Sequence, residues 1–187
     1  NLILKPISLY NKVKMITERV LLSYNKKIEV FIVRPATVCG YSPRMRLDIS
    51  VNMFVYQALV KKKLIVFGGK QIRPNINIKD LINVYIHFIK NPQIKSGNYN
   101  AGFENLKILD VAKLVKKHIP SKLHIKKNVN DPRSYRQNSD KLLKTGFKPL
   151  FSVEDAILEI KERYQNKKIL INDKCHTVKW MKKRSIK

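Results

Sequence analysis

Tyr10 and Lys14 lie four residues apart in a stretch whose apolar residues Leu9, Val13, Ile16, Val20, Leu21 and Tyr24 recur at helical spacing. On a helix both project from one face about one turn apart, which brings an ammonium within reach of a phenol. A free phenol titrates at about pH 10, so acid/base work at neutrality needs that pKa lowered by several units, each worth about 1.4 kcal/mol. A neighbouring cation favours the phenolate and supplies part of the shift, so the pair suits general acid/base catalysis. Taken alone, the same spacing also fits an exposed Tyr and Lys on an ordinary helix.

The elements that would position this pair are legible from capping and periodicity. Ser8 is a suitable N-cap for a helix running to Lys27. A β-rich run over 28–33 follows, ending at Arg34-Pro35, and is expected as a buried parallel strand that enters a loop over 35–46. Asp48 or Ser50 is expected to cap a helix to Lys61. Residues 64–67 form the next strand, closed by Gly68-Gly69, and 75–78 an edge segment. Asp80 is expected to cap an apolar helix that ends at Lys90 before Pro92. Further strands are expected at 98–101 and 123–126, with a helix over about 107–118. A short helix follows from Ser139-Asp140 to Gly146, and the Ser152-Val-Glu-Asp155 capping box opens a last one reaching Tyr164. The alternation of strands and helices indicates α/β architecture with some parallel sheet and no internal repeat.

With 187 residues and 44% hydrophobic content the chain can build a domain with its own core. No apolar run approaches the roughly 20 residues a bilayer span needs, so no membrane span and a cytoplasmic location are expected. Cys39 and Cys175 lack ligand spacing, and neither a disulfide framework nor a metal site is indicated. The Cys175-His176 pair is expected as an incidental surface feature. The net charge of +26 has the magnitude of a nucleic-acid binder. Its composition, 30 Lys to 9 Arg scattered among abundant Ile and Asn, has the pattern of AT-rich coding. No cluster of Arg forks or aromatic platforms forms, so nucleic acid is not the expected partner. Attraction to polyanions such as nucleotide diphosphates remains compatible with the charge.

Four features then fall in order: Tyr10-x-x-x-Lys14; a strand ending in Arg34-Pro-Ala-Thr-Val-Cys-Gly40; Val66-Phe-Gly-Gly-x-Gln-x-Arg73-Pro-x-Ile-x-Ile-x-Asp80; and Asp131-x-Arg133-x-Tyr135. Over roughly residues 6–164 this order resembles the C-terminal half of the extended short-chain dehydrogenase/reductase family, the NAD-dependent nucleotide-sugar epimerases and dehydratases. The resemblance implies NAD or NADP as cofactor, a nucleotide-sugar substrate and a homodimer joined through helices that include the Tyr10 helix. Tyr10 would take a proton from a sugar hydroxyl as hydride leaves, and Lys14 would also hold the cofactor ribose. Pro35, Ala36 and Thr37 would lie beside the nicotinamide. Asn52, Arg73, Arg133 and Arg136 would bind substrate, the arginines as anion clamps. Cys39 stands where the family usually has an aromatic residue, and Asn77 where it commonly has His, which removes a titrating group.

The fold implied is the C-terminal portion of a Rossmann-like doubly wound parallel sheet with a small α/β substrate-binding region. Residues 1–47 would end the catalytic domain, 48–164 would form mainly the substrate region with interleaved Rossmann-like elements, and 165–187 a basic tail. No G-x-x-G-x-x-G-like run occurs to hold a dinucleotide pyrophosphate, and the chain begins at Asn1. It is therefore expected to be a fragment that is inactive alone, with an unpaired sheet flank. A nucleotide-sugar reductase, a non-catalytic nucleotide-binding relative and a basic nucleic-acid module are the alternatives.

Overall fold

The Ser8 hydroxyl accepts a hydrogen bond from the Asn11 N–H at 3.2 Å and starts α1 (Leu9–Ser23). The computed structural model describes residues 6, 8–126, 134–169 and 171–184. After α1 the chain enters β1 (Phe31–Pro35), which pairs in parallel with β5 (Gly97–Ala101), Phe31 opposite Gly97 and Pro35 opposite Ala101. Proline has no N–H to give a ladder, so Pro35 suits the strand's last position. β2 (Thr37–Cys39) runs parallel to β4 (Ile72–Asn77), whose other edge takes β6 (Glu104–Lys107) antiparallel. β3 (Lys63–Phe67) pairs in parallel with β7 (Lys122–Lys126). The helices are α2 (Ser50–Lys61), α3 (Ile78–Lys90), α4 (Ile108–His118), α5 (Asp140–Leu143), α6 (Val153–Gln165) and α7 (Thr177–Lys183).

Two hydrophobic clusters organise these elements. Val51, Phe54 and Val55 of α2 meet Val111 and Val115 of α4, Ile157 and Ile160 of α6, and Leu64 and Val66 of β3. The second cluster joins β5 to α3 through Tyr99, Ala101, Val84 and Phe88, with Leu142 and Phe147 closing it. Their segregation follows from the pattern of each helix, since a stripe of apolar residues must be covered by another layer.

Several expectations are corrected. β1 starts at Phe31, three residues after the apolar run begins, and β2 lies inside the segment expected as loop. Three residues of strand are too short for periodicity to announce. β6 carries Glu-Asn-Leu-Lys, with no apolar alternation, and forms because β4 offers it an edge. β4 is longer than the expected edge segment and occupies the centre of its sheet. The cap of α3 is Asn77, whose side chain accepts from the Lys79 N–H at 3.0 Å. Asp80, fully buried, instead accepts from the N–H groups of Leu150 (3.0 and 3.1 Å) and Phe151 (2.9 Å). α2 begins after Ile49 with no side-chain cap bond, while Asp48 accepts from the Val178 N–H at 3.0 Å. The basic tail contains α7, for which no periodicity is visible, and Cys175 is buried in the first cluster rather than on the surface. The Ser152 capping box of α6 forms as expected.

Glu104 accepts from the Val153 N–H at the start of α6 at 2.5 Å. Burial, reinforced by the charges of Asp155, Glu154 and Asp80, pushes its carboxyl above the usual carboxylate range despite that bond. A raised folded-state pKa means the folded protein holds this proton more tightly than the unfolded chain. Glu104 therefore adds stability as pH falls from neutrality toward the ordinary carboxylate range, and its ionisation costs stability above that window. Glu104→Gln keeps an acceptor for Val153 and removes the charge. It is expected to raise the Tm at pH 7 and flatten the response to mild acid; a lower Tm at pH 7 would contradict this.

Candidate active site

α1 presents Tyr10 and Lys14 together, with Lys14 Nζ 5.7 Å from the centre of the Tyr10 ring and Tyr10 69% exposed. The helix is tied to the sheet by an ion pair: the Arg34 Nε donates to both Glu18 carboxylate oxygens at 3.0 and 3.1 Å, and Nη2 also contacts Glu18. This pair docks the middle of α1 beside the end of β1 that leads into Pro35 and Ala36. Tyr10 precedes Glu18 by eight residues, about 12 Å along the axis at 1.5 Å per residue. No residue of α1 is buried, and Leu9, Val13, Ile16 and Val20 remain exposed.

An open groove of about 910 Å³ runs along the β1–β5 pair, with Pro35, Ala36, Asn98, Arg136, Gln137 and Lys141 in its walls. The Ala36 N–H donates to Ala101 O at 2.8 Å, which fixes the turn out of β1. Thr37 lies one residue further on, in β2 opposite Asn75. The far wall is a strap, residues 134–139, held by side chains rather than by a ladder. Ser134 Oγ accepts from the Ile72 N–H at 3.0 Å, and Gln137 Nε2 donates to Arg34 O at 2.8 Å. Gln137 also exchanges bonds with the Asn105 amide, and Ser139 Oγ both donates to Gly102 O and accepts from Gly102 N–H at 2.9 Å. Gly102 is required there, since a Cβ would lie 2.5 Å from Gln137 Oε1 and 2.6 Å from the Ala36 Cβ.

The strap also carries the anion-binding candidates. The Arg73 guanidinium lies 5.6 Å from the centre of the Tyr135 ring, and its Nη1 donates to Ile72 O at 3.1 Å. Arg136, next in the chain to Tyr135, is exposed at the groove. Arg133 lies outside the described residues. Pro35, Ala36, Arg73 and Arg136 thus share one neighbourhood, while Tyr10 and Lys14 stand apart on α1.

Asn52 is elsewhere. It is 3% exposed, its Oδ1 accepts from the Gly40 N–H at 3.0 Å and its Nδ2 donates to Gly40 O at 3.3 Å. Gly40 has φ +114°, and a Cβ there would stand 3.0 Å from Ile78 Cγ2, so the amide fastens a turn that only glycine makes readily. Asn77 is likewise buried, donating to Ser152 O at 3.0 Å. Burial, with a contribution from the Glu104 charge, pushes the Cys39 thiol up to about 12, and it donates to Ile76 O at 3.5 Å. Cys39 packs and is a poor nucleophile.

Sequence spacing did not announce Gln137 or the Glu18–Arg34 pair, whose partners are remote in the chain. Tyr135 stood in the quoted run without a role. Among the described residues no group of three His, Cys, Asp or Glu side chains gathers to hold a metal ion, and no helix is long and apolar enough to cross a membrane.

Comparison with known proteins gives a family and a fold. A family model described as the NAD dependent epimerase/dehydratase family matches residues 1–102. Among solved structures, the UDP-glucuronic acid 4-epimerase of Bacillus cereus, in complex with UDP-glucuronic acid and NAD, is 25% identical with a TM-score of 0.71; the match covers 89% of this chain and 55% of that one. The dTDP-glucose 4,6-dehydratase of Bacillus anthracis, in complex with NAD, is 21% identical with a TM-score of 0.73, covering 88% and 54%. RMD from Pseudomonas aeruginosa, complexed with NADPH, is 17% identical with a TM-score of 0.72, covering 89% and 59%. The chain spans a little over half the length of these structures.

Proposed function

We propose that this chain, which belongs to the NAD dependent epimerase/dehydratase family, supplies the acid/base pair and most of the substrate pocket of an NAD(P)-dependent nucleotide-sugar epimerase or dehydratase. The observation that carries the reading is the neighbourhood of Pro35 and Ala36 with Arg136, Tyr135 and Arg73, two arginines beside the turn that the resemblance assigns to the nicotinamide. Residues 1–47 would close the catalytic domain and 48–164 would form mainly the substrate region.

The residues present fit one side of the cofactor. Lys14 beside Tyr10 suits a ribose hydroxyl and the phenol together, and Pro35 and Ala36 offer a flat, uncharged wall for a ring. The pyrophosphate needs a Gly-rich turn at a helix N-terminus, which this sequence lacks. The chain by itself is therefore expected to bind NAD or NADP weakly. When bound, the nicotinamide accepts and returns a hydride. Tyr10 removes the proton from the sugar hydroxyl at the carbon that loses hydride and later returns it, with the Lys14 ammonium beside its ring. Arg73 and Arg136 hold the substrate diphosphate, Arg73 through its planar fork. Tyr135 keeps that guanidinium flat against its ring. The working unit is a cytoplasmic homodimer in which the exposed apolar side chains of α1 are covered by the partner.

Arg73→Ala in the complete enzyme tests this reading. Losing a charge-assisted contact worth about 1.5–3 kcal/mol weakens nucleotide-sugar binding by about 10–100-fold. Affinity for NAD or NADP is expected to stay within about twofold of wild type. Equal losses for both ligands would give Arg73 a general structural role and remove the assignment.

A further inference from the structure

The basic C-terminal stretch takes no part in the site above, yet it is built onto the fold. Residues 165–187 hold eight Lys or Arg against one Asp. The Leu47 N–H donates to Cys175 O at 2.8 Å, the Val178 N–H donates to Asp48 at 3.0 Å, and His176 stacks edgewise on Tyr56 with centres 5.6 Å apart. α7 is therefore fixed at one place on the body. Its outward surface has two chemistries side by side. Lys179, Lys182 and Lys183 rim a shallow hollow of about 520 Å³, and Arg184 follows at the helix end. Between these cations Val178 is 52% exposed and Met181 54% exposed. Trp180 lies between Arg44 and Arg184, whose guanidinium carbons are 5.6 and 4.7 Å from its ring. The carboxylates nearby are already engaged: Asp48 with Arg46 and the Val178 N–H, Asp173 with Lys183.

We infer that α7 is a docking surface for an anionic phospholipid bilayer, on which it lies flat. Cationic heads at the phosphate level with aliphatic side chains at the boundary of the acyl region are the chemistry of an interfacial helix. Long Lys stems reach outward from such a position while their methylenes cover apolar surface. A nucleic acid offers phosphate to the same lysines but nothing to Val178 or Met181, and Trp180 has arginines near its ring where a base platform needs a bare face. A bilayer uses the lysines and the aliphatic pair at once.

Co-sedimentation of the 187-residue chain with vesicles tests this, using equal parts phosphatidylglycerol and phosphatidylcholine against phosphatidylcholine alone. Binding is expected only to the anionic vesicles. Each cation near the surface is worth about fivefold in partition, so K179E/K182E/K183E is expected to lose at least about a hundredfold. The control K12E/K26E/K27E, equal in charge change but on and after α1, is expected to lose less than about tenfold. V178D/M181D, which leaves every lysine in place at two exposed positions, is expected to lose about tenfold. Absent binding, equal loss in both lysine triples, no loss in V178D/M181D, or tighter binding to duplex DNA than to the anionic vesicles would each overturn the inference.

Discussion

Tyr10→Phe in the complete enzyme is expected to lower turnover by about 10²–10⁴-fold, the range a positioned acid/base group contributes, with nucleotide-sugar affinity nearly unchanged. The substitution deletes one oxygen from a side chain that is 69% exposed, so the fold has nothing to lose by it. Lys14 stays beside the ring, and the Glu18–Arg34 pair that docks α1 is untouched. A loss confined to kcat marks an interaction made with the reacting atoms, whereas a loss confined to KM would mark a binding group. Turnover like that of the unsubstituted enzyme would remove Tyr10 from the chemistry.

Asn52→Ala is expected to be the most damaging of the polar substitutions to the fold itself. It strips both hydrogen bonds from the Gly40 peptide at a site 3% exposed, leaving a buried N–H and a buried carbonyl without partners. Each such orphan costs about 1–3 kcal/mol, so the loss is about 2–6 kcal/mol, a large share of an ordinary domain's stability. Denaturant unfolding of the chain measures it. The family resemblance puts this amide on substrate, and the two roles separate cleanly. An unchanged unfolding midpoint with weakened nucleotide-sugar binding would restore the substrate role, while a fallen midpoint makes Asn52 the fastener of the turn that follows β2.

The helices were legible because capping and apolar spacing are local. Ser8, the Ser152 box and the stripe of α3 need only neighbours within a turn or two to be read. β1 and β3 announced themselves as short apolar runs, and β5 and β7 only as segments at 98–101 and 123–126. β2 and β6 did not, since three or four residues carry no period and their existence depends on β4 lying between them. The site was legible by type and not by arrangement. Arg73 and Arg136 could be named from their run of neighbours, but the strap that brings Tyr135 against Arg73 depends on Ser134 meeting Ile72 and Gln137 meeting Arg34, contacts 62 and 103 residues apart. Asn52 and Asp80 show the converse. A buried amide and a buried carboxylate look from sequence like surface chemistry, because nothing local reveals that Gly40 or the 150–151 turn will close over them.

Conversion of the sugar itself bears most directly on the proposed function, because a hydride that is taken and returned within one turnover leaves no reduced nicotinamide to accumulate. The complete reading frame that contains residues 1–187 would be expressed, and nucleotide sugars offered one at a time with NAD and with NADP while the sugar product is identified by nuclear magnetic resonance. If the chain carries the acid/base pair of a nucleotide-sugar enzyme, an epimerised or dehydrated sugar appears with at least one substrate and its formation falls at least about a hundredfold in Tyr10→Phe. A protein that binds NAD or NADP and nucleotide sugars yet never converts the sugar would contradict it.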